Sequence, residues 1–470
     1  MSLTWSTLPL LPLRCILHHL STEDAMAAMS TCRHWRSALY MYEGRKELLK
    51  LKAKYLEQCL FLTRVFKKHV KKLHIYLDCN EPEIDKFMTY VLMQYFDTVK
   101  LQELVFIGPS YVQQSMHLPF IKLRRMLIET LVFKNVKCIK KLSFMGCGMA
   151  AVRNDNERYS HKALELYARP LKFCSVQTAA DTVLSSVNQQ LMQISSLTHV
   201  AVDYEQISTV ALQTLSKLPH FRFLTLNITN RRFTLRPIDW DILHDYYRCQ
   251  LRVAINIIGV PFRRFDSIID NVLIEGLRLI SLKVMFCKSL YTPMLSHVSR
   301  LFQTTLVEVL WVDTPYDSTD PYHRIVRPMR QPQPDTYTHV NPFVLLCWQC
   351  MHLQRLVIHG YWIWQYDVLG FVRLRKGLIH LEISAIYSQQ DTFNSSVLMS
   401  EEGTVRVLCG DEPPEVDPEY VQEVNEYTDF KWKPVSWQRL HPALRPRSTA
   451  QQRLDYIVSE AKIPLGVALF

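Results

Sequence analysis

Glycine is scarce in this chain, 12 of 470 residues, so phosphate cradles built from clustered glycines are hard to assemble. The sequence contains no Gly-x-x-x-x-Gly-Lys-Ser/Thr, no Gly-x-Gly-x-x-Gly, no His-Glu-x-x-His and no Gly-x-Ser-x-Gly. P-loop, dinucleotide, zincin and elbow-serine chemistry therefore have no nominated residues. No apolar run approaches the roughly 18–20 residues that span a bilayer. Residues 8–17 are apolar but include Pro9, Pro12 and Arg14 and lack a basic leading segment, so they are not expected to act as a secretory leader. The sequons at Asn227 and Asn394 then read as chance matches.

The 12 cysteines are scattered singly from Cys15 to Cys409, without a paired framework. Such a pattern reads as reduced, mostly buried thiols in a cytoplasmic or nuclear protein. One Cys-x-x-Cys occurs, Cys347-Trp-Gln-Cys350, and no second ligand pair follows it. Cys350 precedes Leu353 by three residues and continues its apolar register, which predicts core packing rather than a metal site. His18 and His19 are adjacent, and neighbours on a helix diverge by about 100°, so they are read as surface residues. No metal and no cofactor is expected.

What the chain does have is apolar residues, 48% of the total, with 21% charged and 11% aromatic. That composition belongs to folded globular proteins. The formal net charge is +11 and the pI about 9.0, compatible with an acidic partner but selecting none.

Beyond residue 60 one pattern recurs: apolar, two variable, apolar, one variable, apolar. Copies are Val70-Lys-Lys-Leu73-His-Ile75, Leu101–Phe106, Ile139–Phe144, Leu197–Val202, Phe221–Leu226, Leu279–Val284, Leu306–Trp311, Leu353–Ile358 and Leu378–Ile383. Weaker copies at Leu164–Leu166 and Val253–Ile255 lack the leading apolar residue. Helix-like spacing fills intervals such as 83–95 and 182–194. One strand and one helix per unit of roughly 24–38 residues is the spacing of an α/β solenoid with parallel inner strands.

Side chains alternate along a strand, so the variable positions are expected to form an exposed strip. Its candidate substrate-binding members are Lys72, His74, Tyr76, Lys141, Met145, His199, Phe223, Arg252, Lys283, Arg355 and His359. Aromatics and methionine beside charges suit a protein-binding surface. Two segments break the rhythm. Residues 313–342, rich in Pro, Asp, Tyr and Arg, read as an inserted loop. From 401 an acidic, proline-containing stretch leads to Trp432, Trp437 and a basic 439–447 segment, read as a tail partly packed as a cap.

Basic clusters at 67–72, Arg231-Arg232 and Arg263-Arg264 are dispersed along the repeats and are read as solvated faces. A nucleic-acid surface would gather them on one face with aromatic stacking partners, so nucleic acid is not expected among the partners. The competing reading is a basic solenoid scaffold that binds RNA or an acidic protein independently of any larger complex.

At the N-terminus, Pro9 or Pro12 suits an early helical position. Leu13, Ile16, Leu17 and Leu20 then fall on one stripe. Ser21 and Asp24 resemble a capping arrangement for a second helix. Met29, Cys32, Trp35 and Leu39 are expected to give a third helix its apolar face. Three helices in about 40 residues bury too little surface to stand alone, which points to a partner.

Residues 5–36 resemble an F-box, carried by Trp5, Leu8-Pro9, Leu13, Ile16, Leu20, Asp24 and Cys32-Arg33-x-Trp35-Arg36. Leu11 stands where an acidic residue is usual, Ala25 where leucine is, and Thr31 where valine is. The Cys350–Ile358 run is similar to cysteine-containing leucine-rich repeats. The resemblance implies a substrate receptor of an SCF-type cullin–RING ubiquitin ligase, itself non-catalytic. Leu8, Pro9, Ile16, Leu17, Leu20, Cys32 and Trp35 would serve the Skp adaptor interface or its supporting core. The implied layout is an F-box over 1–45, a curved leucine-rich-repeat-like solenoid over 46–400 and the tail over 401–470. A protein substrate would occupy the strip and the 313–342 loop.

Overall fold

The computed structural model describes residues 5–41, 47–108, 131–146, 194–230, 235–240, 251–314, 341–387 and 418–461, apart from short stretches within those ranges. The weak copy at 164–166, nearly all of the 182–194 helix, Ser21, Arg231-Arg232 and residues 315–340 of the expected insertion lie outside them. The chain divides into two compact units. One comprises 1–109, 117–200 and 217–221, the other 110–116, 201–216 and 222–470.

The first unit opens with a 3-10 turn at Trp5–Thr7 and helices α1 (Leu10–His19), α2 (Thr22–Thr31) and α3 (Arg33–Met41). Strands β1 (Leu48–Lys52), β2 (Lys72–Tyr76), β3 (Glu103–Ile107) and β4 (Lys141–Met145) follow, with α4 (Leu56–Phe66) joining the first two. The ladder is parallel and in chain order, which requires a crossover between successive strands. Its register aligns Leu73 with Leu104 and Leu142, and Ile75 with Phe106 and Phe144. These buried rows stack side by side, the Phe106 and Phe144 rings at 5.1 Å. The helix expected at 83–95 is irregular, with a π turn at Phe87–Val91 and a 3-10 turn at Leu92–Tyr95. This winding buries Phe87, Met88, Val91, Leu92 and Tyr95 together, and the Tyr95 hydroxyl meets Thr63 Oγ1 at 3.0 Å. Strand β5 (His199–Asp203) contains the boundary between the units.

The second unit holds β6 (Phe223–Thr229), β7 (Arg252–Ile258), β8 (Leu279–Met285), β9 (Glu308–Val312), β10 (Arg355–His359) and, after a short β11 (Ile363–Trp364), β12 (His380–Ile383). From β6 to β10 and on to β12 each strand pairs in parallel with the next. Helices α5 (Thr209–Ser216), α6 (Phe265–Asn271), α7 (Thr292–Leu301), α8 (Pro342–Gln349) and α9 (Gln365–Leu374) complete the repeats. The apolar positions of the pattern face these helices. Trp311 packs between Phe265 and Phe343 at 6.2 and 6.5 Å, and Phe343 continues to Phe371 at 6.4 Å. Pro342 starts α8, where its missing N–H costs nothing, and the Asn341 side chain accepts from Phe343 N. Leucine-rich-repeat-like parallel solenoid architecture is thus what the periodic sequence builds.

The tail continues as α10 (Pro418–Glu426) and α11 (Ala450–Glu460). Helix α10 lies against α9, with the Tyr420 hydroxyl donating to Gln365 O at 2.9 Å and Arg373 pairing with Glu423 at 2.7 Å. Val435 N then donates to Ile383 O at 2.9 Å, beside the last long strand. Helix α11 starts with a reciprocal capping box between Thr449 and Gln452.

Candidate functional site

Two surfaces warrant description, the N-terminal helices and the strip face of the strands. In the helical module Pro9 N-caps α1 and Pro12 is its third residue, so neither proline removes a needed donor. Leu13 and Leu17 are fully buried against Ala38, with Leu20 and Trp35 packed around them. Trp35 Nε1 donates to Trp5 O at 2.8 Å and His34 Nε2 meets Leu8 O at 2.7 Å. These two bonds fold the segment before α1 onto α3.

The expected third helix is shorter than the sequence pattern predicts. Helices α2 and α3 break at Cys32, so Met29 belongs to α2 and Cys32 to the junction. The Cys32 thiol accepts from Trp35 N at 3.5 Å, an N-terminal cap role.

Ile16, Leu20, Ala28, Cys32 and Trp35, with Trp5, line an open groove of about 560 Å³ between the three helices. Of the candidate adaptor residues, Leu17 is core, Ile16, Leu20, Cys32 and Trp35 line the groove, and Leu8 and Pro9 stand at the start of α1. Trp5 and Leu11 are 73% and 74% exposed. Leu10, at the start of α1, is exposed as well.

On the strip face the expectation of general exposure fails. His74, Tyr76, Met145, His199, Lys283 and His359 are buried, while Lys72, Lys141, Phe223, Arg252 and Arg355 are half-buried. In the first unit the His74 ring stands 2.7 Å from Glu103, and Lys141 stands 3.9 Å from the same carboxylate. Burial raises the Glu103 pKa, but His74 and the neighbouring lysines outweigh it and hold the carboxyl below its usual range. Burial, then the Lys141 charge, pushes the His199 imidazole down to about 3. Lys52 Nζ lies 5.1 Å from the Tyr76 ring centre.

In the second unit Arg252 lies 6.0 Å from the Phe223 ring. Its pKa is lowered by burial, then by Arg278 and Arg222. The strip residues further along have a visible cover. Lys283 Nζ donates to the Glu460 backbone oxygen at 2.5 Å and stands 3.4 Å from its carboxylate. Arg355 Nη1 lies 3.1 Å from the same carboxylate. Both cations also reach Glu308, Lys283 at 3.2 Å and Arg355 in a close ion pair. Glu308 accepts from Ser281 Oγ at 2.7 Å as well. Phe286 meets the Tyr456 ring edge-on at 6.0 Å. Helix α11 therefore lies on the strip face of β8–β10. Sequence periodicity marked Lys283 and Arg355 but missed Glu308 and Glu460. Glu308 occupies the variable slot before Val309, and nothing local to Glu460 reveals a contact 177 residues away.

His359 and His380 approach one carboxylate, Glu382, at 3.2 and 2.7 Å. The hydrogen bond with His359, together with the nearby His380 ring, holds that carboxyl far below its usual range against the opposing effect of burial. Cys347 and Cys350 are fully buried free thiols, and burial pushes Cys350 up to about 12. They pack in the core, as the register predicts. No group of three metal-ligating side chains gathers among the described residues, and no helix there is long and apolar enough to cross a membrane.

Comparison with known families places an F-box domain at residues 5–43. Among solved structures, similarity is found to the crystal structure of a TLR13–ssRNA13 complex, at 11% identity with a TM-score of 0.29. The alignment covers 74% of this chain and 51% of that one, so the match extends over about half the length of the neighbour. No curated protein matches the chain.

Proposed function

We propose that this chain is the substrate-recognition subunit of an SCF-type cullin–RING E3 ubiquitin ligase, docking on the Skp adaptor through its F-box and holding a protein substrate on the repeat region. The observation that carries this reading is the F-box match at residues 5–43, on a three-helix module with Trp5 and Leu11 in water. Parallel repeats behind such a module supply extended surface for another protein. In this reading the chain supplies proximity and orientation, while other subunits carry the thioester chemistry. Its place of action is the cytoplasm or nucleus.

Leu8, Pro9, Ile16, Leu20, Cys32 and Trp35 form the adaptor surface, and Leu17 supports it from beneath. Among the strip candidates, Lys72 and Lys141 in the first unit and Phe223 and Arg252 in the second are half-buried, so each pair by itself offers side chains to a substrate that binds without rearrangement. The layout proposed is an F-box over 1–45, the repeats over 46–400 and a capping tail over 401–470. A pull-down of the Skp adaptor by the full chain tests the docking claim. Leu8→Ala/Pro9→Ala is expected to lose the adaptor while keeping its thermal midpoint, and full retention of the adaptor would sink the claim.

A further inference from the structure

Helix α11 occupies strand positions that alternation assigns to a ligand-facing surface. The register aligns Ser281, Glu308, Arg355 and His380 in one row across the sheet, and Lys283, Leu310, Val357 and Glu382 in the next. Leu310, Val357, Met285 and Val312 are as buried as the core on the opposite face. Helix α11 brings Tyr456 to Phe286 and Glu460 to Lys283 and Arg355, two side chains four residues apart and so on one face of the helix.

The charges under the helix balance only when it is present. Lys283 and Arg355 bring two cations to a place where the sheet supplies one carboxylate, Glu308. Glu460 supplies the second. Lys283 and Glu308 have side chains 3% and 1% exposed, so removing Glu460 would leave an uncompensated cation in a poorly hydrated site, which is costly. An empty site of this kind favours another carboxylate. No backbone-to-backbone hydrogen bond joins α11 to a strand among the described residues, so the ladder stays intact when the helix leaves.

We infer that α11 is a displaceable internal ligand, and that the face beneath it recognises an acidic amphipathic helix of a partner protein through the carboxylate site that Glu460 fills. The inference rests on the proposed function only in taking that partner to be the ligase substrate. The self-contact then sets a threshold that a substrate helix must exceed, by coupling its binding to release of the chain's own helix.

The test uses the full chain and a fluorescent synthetic peptide copying residues 448–461. Glu460→Gln is expected to bind the peptide about tenfold more tightly than the wild-type chain, because the internal competitor is weakened while Lys283, Glu308 and Arg355 remain. A peptide with glutamine at the Glu460 position is expected to bind that variant about tenfold more weakly. Tyr456→Ala, which removes the ring that meets Phe286, is expected to raise peptide binding in the same direction and guards against misfolding of the first variant. Amide exchange in the wild-type chain is expected to show residues 454–460 opening faster than β9. Exchange of α11 only at the rate of β9, equal peptide binding by wild type and both variants, or indifference to the peptide carboxylate would each overturn the inference. Adaptor capture measured on the same samples separates the two readings, since its loss would remove the ligase assignment and leave the peptide competition standing.

Discussion

Trp35 Nε1 donates to the backbone oxygen of Trp5 across 2.8 Å, tying the first turn of the F-box to its third helix. Trp35→Phe keeps most of the ring and removes the donor. One neutral hydrogen bond of this kind contributes about 0.5–1.5 kcal/mol. Thermal unfolding of the variant is expected to reveal a loss of at least that size, since the smaller ring also gives up packing against Leu13, Leu17 and Ala38. Adaptor affinity is expected to fall further than stability, because Trp5, 73% exposed, loses its fixed position. Unchanged adaptor affinity would mean that the Trp5 turn lies outside the interface.

Leu17 and Leu11 separate support from contact within one helix. Leu17 is fully buried with Leu13 and Ala38, and Leu17→Ala is expected to destabilise the module by about 2–5 kcal/mol. Leu11 is 74% exposed, so Leu11→Ala is expected to change stability by less than about 0.5 kcal/mol while weakening adaptor binding several-fold. Chemical denaturation paired with calorimetric titration of the adaptor checks both. A Leu11→Ala chain that binds like wild type would place the interface on the groove alone.

The repeats were legible because they are periodic. Described strands of nine copies form at the expected intervals, most starting two residues after the leading apolar position, as Lys72 does after Val70. Strand β1 was missed because Lys46 stands in that leading slot. Strand β7 forms in full over Arg252–Ile258 although Gln250 stands there too. A neighbouring ladder on each side supplies what the local pattern lacks. Exposure of the strip was not legible. Alternation shows which face a side chain takes but not what covers that face, and over Lys283 and Arg355 the cover comes from Glu460, far along the chain. His199 takes the same face of its strand and is only 4% exposed.

Glu308 holds the buried charge network together, accepting from Ser281 and pairing with both Lys283 and Arg355. Glu308→Leu leaves two cations facing Glu460 alone and is expected to cost about 3–5 kcal/mol. Adding Lys283→Met removes the excess charge and leaves Arg355 paired with Glu460. The double variant is expected to recover much of that loss. Urea midpoints of the two singles and the double give the coupling directly. A double variant no more stable than Glu308→Leu would show that packing, not charge balance, dominates the site.

Gly360 follows β10 with φ +82°, and a Cβ there would sit 2.6 Å from the Asp313 backbone oxygen. Neither side of that approach is a flexible side-chain tip. Gly360→Ala combines left-handed strain of about 1–2 kcal/mol with displacement of Asp313, which accepts from Tyr361 at 3.0 Å and from Lys288 N. A lowered urea midpoint is expected, by more than the strain alone. Gly377, where an added Cβ meets nothing within 4 Å, is the control, and Gly377→Ala is expected to stay within about 0.5 kcal/mol of wild type. Equal midpoints for the two variants would contradict the close approach.

Acid sensitivity has opposing contributions. The His199 imidazole is pushed from 6.5 to about 3, by burial first and the Lys141 charge second. The unfolded chain therefore binds a proton that the folded chain refuses between those values. Its contribution is complete above about pH 6.5 and is lost as pH falls, by up to about 5 kcal/mol over the window. Asp313 acts in the other direction. Burial raises its carboxyl from 3.8 to about 6, so the folded state gains relative stability as pH falls from about 6 toward 4. His199→Gln is expected to flatten the acid limb of the stability curve, and Asp313→Asn to steepen it. Urea titrations at pH 4.5 and 7 on each variant read the two slopes. A His199→Gln chain that loses as much stability on acidification as wild type would show that His199 is protonated within the fold, and with it that water reaches β5.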